Sequence, residues 1–130
     1  MTNVQHQNKA LELLVKYRPT LWRKATLEAV PRSKHKALPV YMEEISLTQK
    51  LVESLKEDKR LGEKLYWIIH STYMTDKQPC DIDEILADIA VKYGCIPRRT
   101  YFRLKKRAVE ILDNRLEEMA AQYSEEKAAV

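Results

Sequence analysis

The sequence predicts an all-α protein with a C-terminal helix-turn-helix and a long C-terminal helix. Glycine occurs only twice and proline five times in 130 residues. Apolar residues make up 45% of the chain and recur mostly three and four positions apart, which is the spacing of amphipathic helices. The chain is therefore long enough for one compact helical domain, or for a small domain with helical extensions.

Two helices are predicted before residue 31. The first covers about residues 4–17 and ends at Arg18 and Pro19, because proline removes a backbone donor and clashes with the preceding turn. The second begins at Pro19 and is stopped by Pro31. The apolar face of the first helix comprises Ala10, Leu11, Leu13, Leu14 and Tyr17.

Residues 31–39 are predicted to be an exposed linker with a hinge, because they hold three cations, two prolines and few apolar residues. We therefore divide the chain into a basic N-terminal helical segment with its linker, residues 1–40, and a second helical domain, residues 41–130. Residues 1–40 hold eight cations and two acids, whereas residues 108–130 hold two cations and six acids. Such asymmetry favours a polyanionic partner.

The next three helices are predicted from periodicity and capping residues. Apolar residues recur at helical spacing over residues 42–55 and again over 61–73. Asp81 with Glu84 three residues later is typical of a capping box that opens a helix over residues 82–93. The inward face of this fifth helix is predicted to be Ile85, Leu86, Ile89, Ala90 and Tyr93.

Gly94 follows this helix, where a left-handed backbone conformation would make a sharp turn. Pro97 fits the first turn of a sixth helix that runs from about residue 98 to at least 121, with fraying expected in the last seven residues. The buried side of this helix is predicted to be Tyr101, Leu104, Ala108, Ile111, Leu112, Arg115 and Met119.

A helix, a glycine-containing turn and a second helix together predict a helix-turn-helix over about residues 82–112. Ala90 is small enough for the two helices to approach closely. At about 100° per residue, Arg99, Arg103 and Lys106 point away from the side centred on Tyr101.

Residues 98–107 hold six cations, and no acid occurs between Asp88 and Glu110. Because like charges at this density repel one another, the segment predicts a negatively charged partner, and double-stranded DNA fits best. Arg99 and Arg103 are the candidates for base edges in the major groove, and Phe102 for a thymine methyl. The remaining candidates for DNA contact, with phosphates as the main targets, are Arg98, Thr100, Lys105, Lys106 and Arg107.

The stretch DEILADIAVKYGCIPRRTYFRLKKRAVEIL, residues 83–112, resembles the C-terminal part of the ArpU- and RinA-like phage transcriptional regulators. More distantly, it resembles the promoter-binding C-terminal domain of sigma factors, region 4. The similarity spans about residues 61–112, and it departs from the common pattern at Cys95, which lengthens the turn, and at Pro97, where serine or threonine is usual. The resemblance implies a sequence-specific regulator of phage or prophage late genes, with RNA polymerase as a further candidate partner.

Several alternatives were open from the residues alone. An enzyme is disfavoured because His6, His35 and His70 stand in unrelated settings and no nucleophile motif or phosphate loop is present. One alternative is a protein-binding module, including a homodimer formed through Leu112, Leu116 and Met119. In the competing interpretation, these three residues pack on residues 10–17 of the same chain. A phage terminase small subunit that packages DNA is the other alternative.

Further contacts to DNA phosphates are predicted for a basic N-terminal group: Arg18, Arg23, Lys24, Arg32, Lys34 and Lys36. Cys80 and Cys95 lack metal-ligand spacing, so no cofactor or metal is predicted. The apolar runs are too short for a bilayer and no secretory signal is evident, so we expect a cytoplasmic protein without membrane contact.

Overall fold

The computed structural model describes residues 9–30 and 36–129, and every regular element within them is helical. The helices are α1 (Lys9–Glu28), α2 (Leu38–Glu53), α3 (Gly62–Ile69), α4 (Ile82–Lys92) and α5 (Arg98–Ala129). A 3-10 turn, Ser54–Glu57, continues α2, and a π-helical turn, His70–Met74, continues α3. The all-α class is therefore confirmed. None of the helices in the described ranges has the length and apolar character needed to cross a membrane.

Helix α1 corrects the prediction of two helices separated at Arg18 and Pro19. The helix passes through Pro19 without a break. A proline inside a helix costs about 3 kcal/mol or more. Burial on both sides of the proline offsets this cost, because Leu14, Tyr17 and Thr20 all lie in the interior.

The Arg18 side chain also holds α1 in place. Its Nε donates to the Thr75 carbonyl at 2.8 Å, and its Nη2 donates to the Thr72 carbonyl at 3.0 Å and to Thr75 Oγ1 at 2.9 Å. These acceptors lie at the end of the π-helical turn, where helix carbonyls lack intrahelical partners and attract a cation. Burial lowers the pKa of the Arg18 guanidinium from its ordinary value. A long-range contact therefore overrides the local signal of the following proline.

Helix α2 begins at Leu38, four residues earlier than the predicted start at residue 42. Pro39 stands in its first turn, where the missing N–H is not needed, so the end of the predicted linker belongs to a helix. Of the rest of the predicted linker, Lys36 and Ala37 form a turn, and residues 31–35 lie outside the described residues.

One apolar core joins all five helices. Ala10, Leu14 and Tyr17 of α1 are buried in the same cluster as Leu51 and Val52 of α2. The other helices complete it with Leu65, Ile68, Ile69, Ile89, Tyr101, Leu104, Ala108 and Leu112. The segment before residue 40 thus contributes to the core that supports α5.

Gly62 opens α3 at a point of close approach. A Cβ at this position would stand 2.4 Å from the Leu55 carbonyl oxygen and 3.0 Å from the backbone of Lys56. The 3-10 turn therefore lies directly against the start of α3, and only glycine leaves room for it.

Helix α4 begins as its capping residues predict. Asp81 has an extended backbone, and its Oδ1 accepts from the Glu84 N–H at 2.9 Å. The reciprocal bond differs slightly from a regular capping box, because Glu84 Oε2 accepts from the N–H of Cys80 instead of Asp81, at 2.6 Å. Ile89 is fully buried, with Ile85 and Leu86 packed partly against the core.

The turn between α4 and α5 corrects three details of the predicted helix-turn-helix. No glycine among the described residues has a positive φ, so Gly94 is not in the left-handed conformation that we expected. Helix α4 ends instead with two N–H groups, those of Tyr93 and Gly94, which both donate to the Ile89 carbonyl, at 2.8 and 3.1 Å. Ala90 and Tyr93, predicted to face inward, are exposed. Ile89 and Ile96, both buried, connect this region to the core instead.

Candidate nucleic-acid interface

The first three turns of α5 are fixed by a buried stripe. Tyr101, Leu104 and Ala108 lie in the core, and the Tyr101 hydroxyl is 2.8 Å from Thr72 Oγ1 in the π-helical turn. Burial raises the pKa of Tyr101 above its usual value. Pro97 precedes the helix, and its carbonyl accepts from the Tyr101 N–H at 2.9 Å. One side of the segment is therefore held rigidly against the protein.

The opposite side carries a row of cations. Arg99, Arg103 and Lys106 are all exposed and lie roughly 140–200° around the helix from Tyr101. We call these three residues the outer row. Within residues 9–30 and 36–129, none of the six cations of the 98–107 segment forms an ion pair. The outer row therefore presents its full charge to solvent.

One flank of the outer row is aromatic. The Phe102 side chain is 47% exposed, and its ring meets that of Tyr101 edge to face at 5.1 Å between centroids. Lys105 is half-buried, with its Nζ 5.6 Å from each of these two rings, so it is less free to reach a phosphate than its neighbours. Phe102 and Lys105 border a cleft of about 590 Å³ whose far wall includes Trp22 of α1 and Ile85 of α4.

The other flank of the outer row is cationic. Here Thr100, Arg103 and Arg107 border a cavity of about 240 Å³ between α5 and the start of α3. Lys64 of α3 lines the same cavity. Nothing in the sequence pairs Lys64 with α5, because the periodicity of an eight-residue helix does not show which distant helix packs against it. The remaining predicted site residue, Arg98, is exposed.

The predicted basic N-terminal surface is only partly present. Arg18 is a structural residue, because it is 9% exposed and bonded to Thr72 and Thr75, so it is not available to a phosphate. Lys24 is paired with Glu28 at 2.8 Å. Arg23 and Lys36 are exposed, whereas Arg32 and Lys34 lie outside the described residues.

His70 is the one histidine among the described residues. It is half-buried, stacked on Tyr66 at 5.7 Å between ring centroids and edge to face with Trp67 at 5.3 Å. Burial lowers its pKa, and the Lys92 charge acts in the same direction. His6 and His35 are outside the described residues. Among the residues that the structure describes, no three His, Cys, Asp or Glu side chains are grouped to hold a metal ion.

No protein-family model matches the chain, and neither a curated protein nor a solved structure is significantly similar to it. The geometry and charge of the α5 surface are therefore the basis for its proposed function.

Proposed function

We propose that the chain is a sequence-specific, non-enzymatic DNA-binding transcription regulator that inserts residues 98–107 of α5 into the major groove of duplex DNA. The observation that carries the proposal is the outer row: Arg99, Arg103 and Lys106 are exposed together, opposite the buried stripe, with no ion-pair partner in the part of the chain that the structure describes. Control of phage or prophage late genes is the part of the proposal that rests on the sequence resemblance.

The dimensions of the segment fit this role. An α-helix with its side chains is about 10–12 Å across, and the major groove of B-DNA is about 12 Å wide. Because the guanidinium group is a planar, bidentate donor that matches guanine O6 and N7, Arg99 and Arg103 are assigned to base edges. Phe102, exposed beside them, would contact a thymine methyl group.

The other cations of the segment are assigned to the DNA backbone. Lys106 in the outer row and Arg107 beside it are exposed, and Arg98 is exposed on the flank of Phe102, so these cations can reach phosphates on both sides of the groove. Lys105 is assigned a weaker contact, since its ammonium group is near the rings of Tyr101 and Phe102. Affinity would come mainly from these charges, and discrimination from the two arginines.

The test starts with selection of bound sequences from a random DNA library, followed by Arg103→Ala. On the selected site this change should weaken binding by roughly 1–3 kcal/mol and relax the preference at one base pair. With about five phosphates neutralised, log affinity should fall against log salt with a slope of about −4 to −5. Lys50→Ala, which removes an exposed cation from α2, is the control and should leave both quantities unchanged.

Two results would count against the assignment. Equal weakening by Arg103→Ala on every sequence would make Arg103 a phosphate contact. The absence of salt-dependent DNA binding in the unmodified protein would overturn the proposal and favour a protein partner for α5. Mass measurement in solution separates a regulator from a packaging ring, because a ring is far larger than a dimer.

A further inference from the structure

The cavity between α3 and α5 is lined by cationic and apolar side chains. Its walls bring together three cationic side chains and one hydroxyl over an apolar floor, from two separate helices. No carboxylate lines it. The lining residues are Leu61, Lys64, Thr100, Arg103, Leu104 and Arg107.

Two acids just before α3, Asp58 and Glu57, already have partners. Asp58 is the carboxylate whose charge interacts with Arg107. Its Oδ1 accepts from the N–H groups of Arg60 and Leu61, at 2.8 and 3.2 Å, and these bonds are the main reason why its pKa is lowered. Glu57 pairs with Arg115 at 3.4 Å, away from the cavity. The lining itself carries three cationic side chains and no carboxylate, so it is positively charged.

We propose that Lys64, Thr100 and Arg107 seat one phosphodiester group of the DNA backbone in this cavity, beside Arg103 at a base edge, and thereby fix the register of α5 in the groove. The inference rests on the proposed function, and it adds a residue outside α5 to the interface. The donor set suits a phosphate: arginine offers paired N–H groups, lysine a mobile point charge and threonine a hydroxyl donor.

The position of the cavity selects backbone phosphate over a free anion. Arg103 belongs both to the outer row and to the cavity lining, so a phosphate in the cavity would lie next to the base edges that the outer row contacts. On the opposite flank, Lys105 lies near the rings of Tyr101 and Phe102, and the exposed Arg98 does not line the cleft. The phosphate is therefore expected on the DNA strand next to α3.

The experiment compares Lys64→Gln with Lys59→Gln on the selected DNA site. Both changes remove one lysine charge from the same stretch of chain, but Lys59 is exposed and does not line the cavity. Lys64→Gln should weaken binding equally on all sequences and reduce the salt slope by about 0.9. Lys59→Gln should leave the slope near that of the unmodified protein, and Lys64→Arg should restore binding. The melting temperature of each variant checks that the fold is unchanged.

A second measurement identifies the ligand. Neutral methylphosphonate linkages are placed one at a time along each strand of the site. At one position, the neutral linkage should weaken DNA binding by the unmodified protein. The same linkage should not weaken DNA binding by the Lys64→Gln variant any further, because that variant has already lost its contact with this phosphate. Inorganic phosphate, at matched ionic strength, should compete no better than chloride.

The outcomes separate the two proposals. Equal effects of Lys64→Gln and Lys59→Gln, or no linkage with the expected coupling, would overturn the cavity while leaving DNA binding by α5 intact. Competition by inorganic phosphate beyond its ionic strength would assign the cavity to a free anion. If the unmodified protein does not bind DNA in a salt-dependent way, both proposals fail together.

Discussion

In residues 98–107 of α5, five of the six charged side chains are exposed and Lys105 is half-buried, whereas in residues 108–122 two charged side chains bond to other parts of the protein. Asp113 is buried, and its Oδ1 accepts from the Ala10 N–H of α1 at 2.8 Å. Arg115 donates to the Ser54 carbonyl and to Glu57 in the 3-10 turn after α2. None of the six cations before them has such a partner among the described residues.

The two segments share one buried stripe, so packing alone does not explain this difference. Tyr101, Leu104 and Ala108 continue without interruption into Leu112. Leu116 packs partly against the same core, which supports intramolecular packing of this stripe, although Met119 remains 39% exposed. Charges that bond within the chain contribute to folding, whereas charges left unpaired on a rigid helix are free to bind a partner. Variants on either side of Ala108 should therefore change different measured quantities.

The largest effect on stability is expected at Asp113. Asp113→Ala should lower the free energy of unfolding by roughly 1–3 kcal/mol, because the buried Ala10 N–H loses its acceptor. Lys106→Ala, the matched change in the first segment, should alter it by less than about 0.5 kcal/mol, since Lys106 is exposed. Denaturant unfolding measures both. Similar losses for the two variants would remove the distinction between the segments.

The Asp113→Asn variant tests the charge of Asp113 separately from its hydrogen bond, because the amide keeps an oxygen acceptor for the Ala10 N–H. The quantity to compare is the pH dependence of stability. Burial raises the pKa of Asp113 above its ordinary 3.8, and the charges of Glu117 and Glu110 raise it further. The folded state therefore holds the proton more tightly than the unfolded state, and this contribution to stability is lost as pH rises through the folded-state pKa. Relative to the unmodified protein, Asp113→Asn should gain stability from pH 3.8 upward. A pH-independent difference would contradict this account.

A smaller effect is expected at Arg115. Arg115→Gln should cost about 0.5–1.5 kcal/mol, because the Ser54 carbonyl loses its charged donor. Glu57→Gln should cost less than this, since the Glu57 carboxylate is largely exposed and lies 3.4 Å from Arg115. Thermal unfolding of the two variants separates the carbonyl bond from the ion pair. Equal losses would show that the ion pair, rather than the carbonyl bond, joins α5 to the 3-10 turn.

The sequence was sufficient wherever local chemistry decides the structure. The Asp81 cap, the start of α5 after Pro97 and the buried series from Tyr101 to Leu112 follow from propensity and spacing, and the structure has them. Helix α5 extends beyond the predicted minimum of residue 121 and continues to Ala129, into the residues where fraying was expected.

The sequence was insufficient where contacts between residues far apart in the chain decide the structure. Arg18 holds α1 through Pro19 by bonding to residues more than fifty positions away. Lys64 lines the same cavity as Arg103 and Arg107 only because α3 packs beside α5. For the candidate site, the helical spacing placed the outer row correctly, but the half-burial of Lys105 and the cationic cavity required tertiary packing.

The smallest effect is expected at Gly94, at the entry to the first segment. Gly94 has no positive φ, and an added Cβ would meet no heavy atom within 4 Å. Gly94→Ala should therefore be neutral or stabilising by up to about 1 kcal/mol, because alanine restricts the unfolded chain without straining the folded one. Gly62→Ala is the contrasting variant and should be clearly destabilising, since its Cβ would stand 2.4 Å from the Leu55 carbonyl oxygen. A loss at Gly94 as large as at Gly62 would mean that the turn before α5 does need a left-handed glycine, and that the outer row is oriented by that turn rather than by Ile96 and Tyr101 in the core.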